Sequence, residues 1–219
     1  MSALRIVVLG LGEFGESLAV ELARLGCEVI AVDQQPLVVE RIKDRVGRAA
    51  TADVRQIEAM RELCSTRPDV GVIAMGDRLE ASILAALHLQ ELKVPRIVVE
   101  VNNRDNAEVM KRLGVSEIVS PERDSGLREA RRILEPDILE QLPLARGHSI
   151  VEVEAPGWTL GKTVGDVSAG KQRRLLIVAL ASNDKVSVAP TREEVILRGD
   201  QLTLLGRDED ISSFRNGDG

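Results

Sequence analysis

Gly10, Gly12 and Gly15 stand in the spacing Gly-x-Gly-x-x-Gly directly after the apolar run Arg5-Ile6-Val7-Val8-Leu9, a pattern suited to holding a phosphate against the backbone. Gly10 permits a tight turn, Gly12 lets a phosphate approach, and Gly15 lets the following helix pack closely on the strand, with the helix N-terminus facing the anion. A second apolar run, Glu28 to Val32, ends in Asp33, about 20 residues further on, where a carboxylate takes the hydroxyl pair of a ribose. These residues predict a dinucleotide or adenine-nucleotide site rather than a purely structural glycine turn. Groups able to transform such a ligand are scarce. The chain has no Tyr and only two His, of which His88 falls on a predicted helix away from the strand ends and His148 in a predicted linker. Cys27 and Cys64 lie far apart with no C-x-x-C pattern and read as small buried hydrophobes. Neither a zinc-type ligand spacing nor a Gly-x-Ser-x-Gly elbow occurs. The nucleotide therefore reads as a signal rather than a reactant, with a small nicotinamide-dependent oxidoreductase as the alternative.

The elements that must position these residues repeat one unit. Phe14, Leu18, Leu22 and Leu25 recur at helical spacing after the glycine turn. Pro36 opens a second helix to about Val46, and Arg48 to Ala52 makes a third strand ending at Asp53, which either caps the next helix or walls an adenosine. Val70 to Met75 gives a fourth strand, Arg78 to Leu92 a long helix, and Arg96 to Val101 a fifth strand. A helix from Asp105 to Leu113 stops at Gly114, before a short sixth strand, Glu117 to Val119. Strands alternating with helices predict an α/β fold with a doubly wound, parallel, Rossmann-like sheet. After Pro121 the pattern changes to a charged helix, Glu122 to Leu134, a short helix, Pro136 to Gln141, and a linker bracketed by Pro143 and Gly147. Beyond it, strands at 149–154, 175–181, 186–188, 195–197 and 201–205 and a last helix near Asp208 to Phe214 predict a small α+β subdomain. The predicted domains are 1–142 and 143–219.

Composition limits the partners. The 219 residues are 44% apolar, enough to fill a core, and the net charge of −6 arises from 35 acids and 29 bases mixed along the chain. This leaves no basic stripe for nucleic acid and no polybasic anchor for lipid. No apolar run approaches the roughly 20 residues of a membrane span, and the expected location is the cytosol.

The segments Val8-Leu9-Gly10-Leu11-Gly12-Glu13-Phe14-Gly15, Thr51-Ala52-Asp53, Met75-Gly76-Asp77-Arg78-Leu79-Glu80-Ala81-Ser82, Leu113-Gly114-Val115 and Ser120-Pro121-Glu122-Arg123-Asp124-Ser125-Gly126 together resemble the domain that regulates conductance of potassium (RCK), found in cytosolic subunits of the Ktr and Trk potassium-uptake systems. The tail, with Pro190, Leu197-x-Gly199-Asp200-x-Leu202 and Leu205-Gly206, resembles that family's C-terminal (TrkA-C) subdomain. The resemblance covers nearly the whole chain. It implies homodimers assembled into a ring, commonly an octamer, docked on a membrane-embedded potassium channel or transporter at the inner face of the membrane. Adenine nucleotide (ADP, ATP or AMP) or NAD(H) would bias the gate by its differential affinity for two ring states. It also implies that Gly10, Gly12, Glu13, Phe14 and Gly15 surround the phosphates, Asp33 holds ribose, and Asp53, Val54, Met75 and Gly76 flank the adenosine. Glu122 matches a glutamate that binds a divalent cation, Mg or Ca, at the dimer interface; as a plain residue it is equally a first-turn acid favoured by the helix dipole.

The sequence also departs from the family pattern. Glu13 stands where relatives that answer to a triphosphate have Arg, and Glu100 stands near a basic position on the fifth strand. Two carboxylates in place of two cations repel a γ-phosphate unless a divalent ion intervenes, which argues against ATP-specific activation. Glu13, Glu100 and Glu122 are together expected at the phosphate end of the site. Ala181 and Ser182 occupy the region where family members that bind cyclic di-AMP often carry Arg, which argues against that ligand. The apolar stripe Leu127, Ala130, Ile133 and Leu134 predicts at least a dimer.

Overall fold

A computed structural model describes residues 3–168, 175–183 and 185–217. The chain divides into two compact units, Met1–Gly126 and Leu127–Gly219.

In the first unit, strands β1 (Arg5–Leu9), β2 (Glu28–Asp33), β3 (Arg48–Thr51), β4 (Val70–Ile73), β5 (Arg96–Glu100) and β6 (Glu117–Val119) form one parallel sheet in the order β3-β2-β1-β4-β5-β6. Helices α1 (Glu13–Arg24), α2 (Pro36–Ile42), α3 (Ile57–Leu63), α4 (Leu79–Glu91) and α5 (Arg104–Arg112) fill the crossovers. The alternation of side chains along each strand feeds two cores. Val7, Leu9, Ile30 and Val32 join Met60 of α3, Ala85 and Leu89 of α4 and Met110 of α5. Ile6, Val8, Val29 and Ala31 join Ala19 of α1 with Val39 and Ile42 of α2 on the other face. This is the doubly wound order whose chain reverses direction beside β1, and ligands of such sheets lie outside the carboxyl ends of the strands at that point.

Helix α6 (Pro121–Leu134) spans the junction of the two units, and none of its residues is buried. In the second unit β7 (Ile138–Pro143), β8 (His148–Glu154), β9 (Leu175–Ser182), β10 (Lys185–Val188) and β11 (Gln201–Arg207) form an antiparallel sheet in the order β10-β9-β11-β8-β7. Helices α7 (Val164–Ser168) and α8 (Asp208–Asn216) pack with it; Phe214 of α8 is fully buried and meets Trp158 edge-on at 5.1 Å. Arg215, 10% exposed at its side chain, forks onto Asp137 at 2.6 Å and reaches Glu135 at 2.8 Å.

Several local expectations are corrected. Residues 136–141 are not a helix: from Ile138 the chain pairs with β8, Ile138 opposite Val153 and Leu142 opposite Ile150, a partnership no local periodicity announces. That pairing puts β7 in the second sheet, so the compact units part near residue 126 where the sequence suggested 142. Segment 195–197 makes only an isolated bridge, Val195 to Thr163, and α7 was not foreseen. Helix α2 ends at Ile42, short of Val46. Among the described residues no helix is long and apolar enough to cross a membrane.

Candidate functional site

The glycine turn is built as its spacing demands at two of three positions. Gly10 holds φ +95°, and a Cβ there would meet the Ala74 carbonyl oxygen at 2.4 Å. Gly15 lies so close to the turn that a Cβ would meet the Gly10 carbonyl oxygen at 2.1 Å, which welds α1 to the end of β1. Gly12 differs: a Cβ would find nothing within 4 Å. Its backbone is extended (φ −66°, ψ −175°), and its carbonyl accepts the N–H of Glu16 at 2.9 Å to start α1. No packing inside the chain requires a glycine there, and the space beside Gly12 at the head of α1 is open.

This turn borders a cavity of about 960 Å³ outside the carboxyl ends of β1, β2, β3 and β4. Of the predicted residues, Gly10, Gly12, Glu13, Asp33, Asp53, Val54 and Met75 line it. Phe14, Gly15, Gly76 and Glu100 are not among its lining residues, nor is Glu122. Gly15 serves through helix packing, as above. Gly76 serves through a close approach by Asn102, whose Oδ1 would lie 2.1 Å from a Cβ there. Glu100 is 8% exposed, and burial pushes its carboxyl above the usual carboxylate range, the Gly76 backbone opposing the rise and repulsion from Glu122 and Asp77 adding to it. Glu13 therefore faces the cavity while Glu100 and Glu122 neighbour one another, and the three do not share one wall.

Asp33 is placed at the expected strand end but is already engaged. Its Oδ2 accepts the Leu11 N–H at 2.9 Å and its Oδ1 accepts the Gln35 N–H at 2.8 Å. Each oxygen keeps a second lone pair for a ligand hydroxyl. Asp53 does not cap α3, whose N-cap is Gln56 with no side-chain bond. Its carboxylate instead accepts the Arg55 N–H at 3.0 Å and chelates the Arg55 guanidinium, Nη2 to Oδ2 at 2.7 Å and Nε to Oδ1 at 2.9 Å. The guanidinium holds the Asp53 carboxyl below its usual range. His88, far from any strand end in sequence, reaches the Val54 carbonyl with Nδ1 at 3.0 Å and braces the same turn. Arg41, Arg55 and Arg78 line the cavity without having been singled out from sequence, although Asp53-x-Arg55 at a strand end was a readable signal for an ion-paired turn. The carboxylates of the wall are Glu13, Glu16, Asp33, Asp53, Asp77 and Glu80, so it carries six acids against three guanidiniums. Among the described residues no group of three or more His, Cys, Asp or Glu is arranged to hold a metal ion, so Glu122 of one chain does not by itself make a cation site.

Fold and site together define a Rossmann-type domain, with a glycine turn and a cavity at the switch point of its sheet, followed by an antiparallel unit. Residues 6–121 match the TrkA-N domain and residues 148–216 the TrkA-C domain, and the chain belongs to this TrkA-N/TrkA-C family. It is 34% identical over 207 residues to the Ktr system potassium uptake protein C of Bacillus subtilis (strain 168), covering 94% of each chain. It is 31% identical over 209 residues to the Ktr system potassium uptake protein A of Vibrio alginolyticus, covering 95% of each. A solved structure of the GsuK channel bound to NAD resembles the whole of this chain with a TM-score of 0.66 at 16% identity. The chain spans 40% of that protein's length, and the likeness is one of fold.

Proposed function

We propose that this chain is the cytosolic, ligand-sensing subunit of a potassium-uptake system, binding an adenine nucleotide or NAD(H) in the cavity beside Gly12 and thereby biasing a membrane-embedded potassium channel or transporter. The observation that carries the reading is the open face of Gly12 at the head of α1, bordering a cavity of about 960 Å³ with Asp33 at its ribose position. Family membership supports the partner class, since the Ktr relatives are potassium uptake proteins. Sensing needs no reactive group; His88 is held by the Val54 carbonyl rather than aimed at a ligand. An acid-rich wall disfavours a bare triphosphate, so the ligand is NAD(H), ADP or AMP, or a nucleotide accompanied by a divalent cation. In this reading Glu122 holds a divalent cation, Mg or Ca, only together with donors from a second copy at a dimer interface within a ring of subunits.

Mass spectrometry of ligand released from purified protein, followed by calorimetric titration of ADP, AMP, ATP and NADH, tests the assignment. Micromolar binding of one of these, and potassium uptake that changes with it when the chain is coexpressed with its membrane partner, is the expected result. No nucleotide bound at millimolar concentration, or turnover of NADH with a small carbonyl substrate, overturns it.

A further inference from the structure

The turn after β3 carries a planar cation that the glycine and ribose positions leave unexplained. Arg55 lines the cavity, and its guanidinium is fixed edge-on by Asp53, with Nη2 to Oδ2 at 2.7 Å, Nε to Oδ1 at 2.9 Å and Nε to Oδ2 at 3.1 Å. The same turn is closed by the Gln56 N–H on the Asp53 carbonyl at 3.0 Å and held from α4 by His88 on the Val54 carbonyl at 3.0 Å. The donors on one edge of Arg55 are thus consumed and its charge is matched, so this side chain is poorly suited to be a phosphate clamp. Its flat faces are not engaged by these bonds, and half of its side chain is exposed. Val38, Ala52, Val54 and Leu79 supply apolar surface in the same cavity. Position agrees with this use. In the order β3-β2-β1 the end of β3 lies two strand spacings, about 10 Å, from the glycine turn at β1, with Asp33 on β2 between them. Phosphate, ribose and base follow one another in that sequence along a nucleotide.

Resting on the nucleotide reading above, we propose that Arg55, clamped flat by Asp53, is the surface on which the purine base stacks, and that Asp53 acts on the ligand through Arg55 as a positioning residue. A guanidinium already immobilised by a carboxylate loses little freedom when a base settles on it, and its plane matches the base face. The pair accordingly selects for a nucleobase rather than for a phosphate count.

The test measures AMP and ribose 5-phosphate affinities by calorimetry, and the fluorescence of etheno-ADP, on the full chain and on Arg55→Ala, Arg55→Lys and Asp53→Ala, with thermal unfolding of each as a check on folding. Arg55→Ala lowers AMP affinity about 3- to 30-fold, the range of a cation–π contact, while ribose 5-phosphate changes by less than about twofold. The change in etheno-ADP fluorescence on binding to the wild type is reduced in Arg55→Ala. Arg55→Lys stays as weak as Arg55→Ala because an ammonium has no planar face, and Asp53→Ala falls between Arg55→Ala and wild type. Unchanged AMP affinity in Arg55→Ala, equal losses for AMP and ribose 5-phosphate, or full restoration by Arg55→Lys overturns the stacking surface while leaving the nucleotide site standing. A wild-type chain that binds no adenine nucleotide overturns both.

Discussion

Asp33 illustrates how one carboxylate can serve structure and still be free to bind. Its two oxygens hold the N–H groups of Leu11 and Gln35, so it ties the glycine turn to the end of β2 and remains able to accept ribose hydroxyls. Asp33→Ala should weaken ADP or NADH binding by about 1–3 kcal/mol, the scale of lost charge-assisted hydrogen bonds. It should also lower the stability of the first unit, because two backbone donors lose their acceptor. Calorimetry that finds unchanged ADP affinity contradicts the assignment. Glu100 shows the opposite balance. Burial raises its carboxyl, so the folded chain holds the proton more tightly than the unfolded chain. Its contribution is therefore most favourable at low pH, and it declines as pH rises from the ordinary carboxylate value of 4.5 through the raised one. Glu100→Gln keeps the side chain's size and a carbonyl acceptor and removes the charge. Urea unfolding should find the variant more stable than wild type at pH 8, with the gap closing at pH 4. A wild type that gains on the variant as pH rises refutes this.

At the scale of elements, the glycines of one motif separate into two kinds. Gly15→Ala forces a methyl to within 2.1 Å of the Gly10 carbonyl and 2.9 Å of the Ala74 Cβ, so α1 must lift from β1. A loss of about 1–3 kcal/mol in urea unfolding is expected, as for an overpacked core. Gly12→Ala meets open space at a negative φ, so stability should stay the same or rise by up to about 1 kcal/mol through a less flexible unfolded chain. Nucleotide affinity should nevertheless fall at least tenfold (about 1.4 kcal/mol), because the methyl occupies the phosphate's approach. Stability and affinity falling together in Gly12→Ala would mean that this glycine is structural.

For the whole molecule the exposed side of α6 is decisive. Leu127, Ile133 and Leu134 are 53%, 72% and 81% exposed, on a helix with no buried residue. A chain that leaves such a stripe uncovered is expected to cover it with a second copy. Light scattering at micromolar concentration should report a dimer or larger, and Ile133→Glu with Leu134→Glu should reduce the mass. A monodisperse monomer of the unmodified chain refutes the assembly.

How much of this was legible before the coordinates depends on the range of the interactions involved. Gly10, Gly15 and Asp33 were readable because a tight turn, a close helix contact and a strand-end carboxylate are local demands written as residue type and spacing. The order of alternating elements was readable for the same reason: periodicities of 2 and 3.6 are set by backbone geometry within each segment. The strand identity of 138–143 was not, since it exists only through pairing with β8. The separation of Glu13 from Glu100 and Glu122 was not, since a strand end and a helix start distant in sequence acquire neighbours only when the sheet is assembled. The two constraints on the turn after β3, Asp53 clamping Arg55 and His88 of α4 holding the Val54 carbonyl, likewise depend on how the turn folds and how α4 packs beside it. Local sequence determined the glycine turn and the alternating fold; tertiary packing decided which charges share a wall and which side chains line the cavity, because Coulomb and hydrogen-bond energies depend on distances that only the folded chain sets.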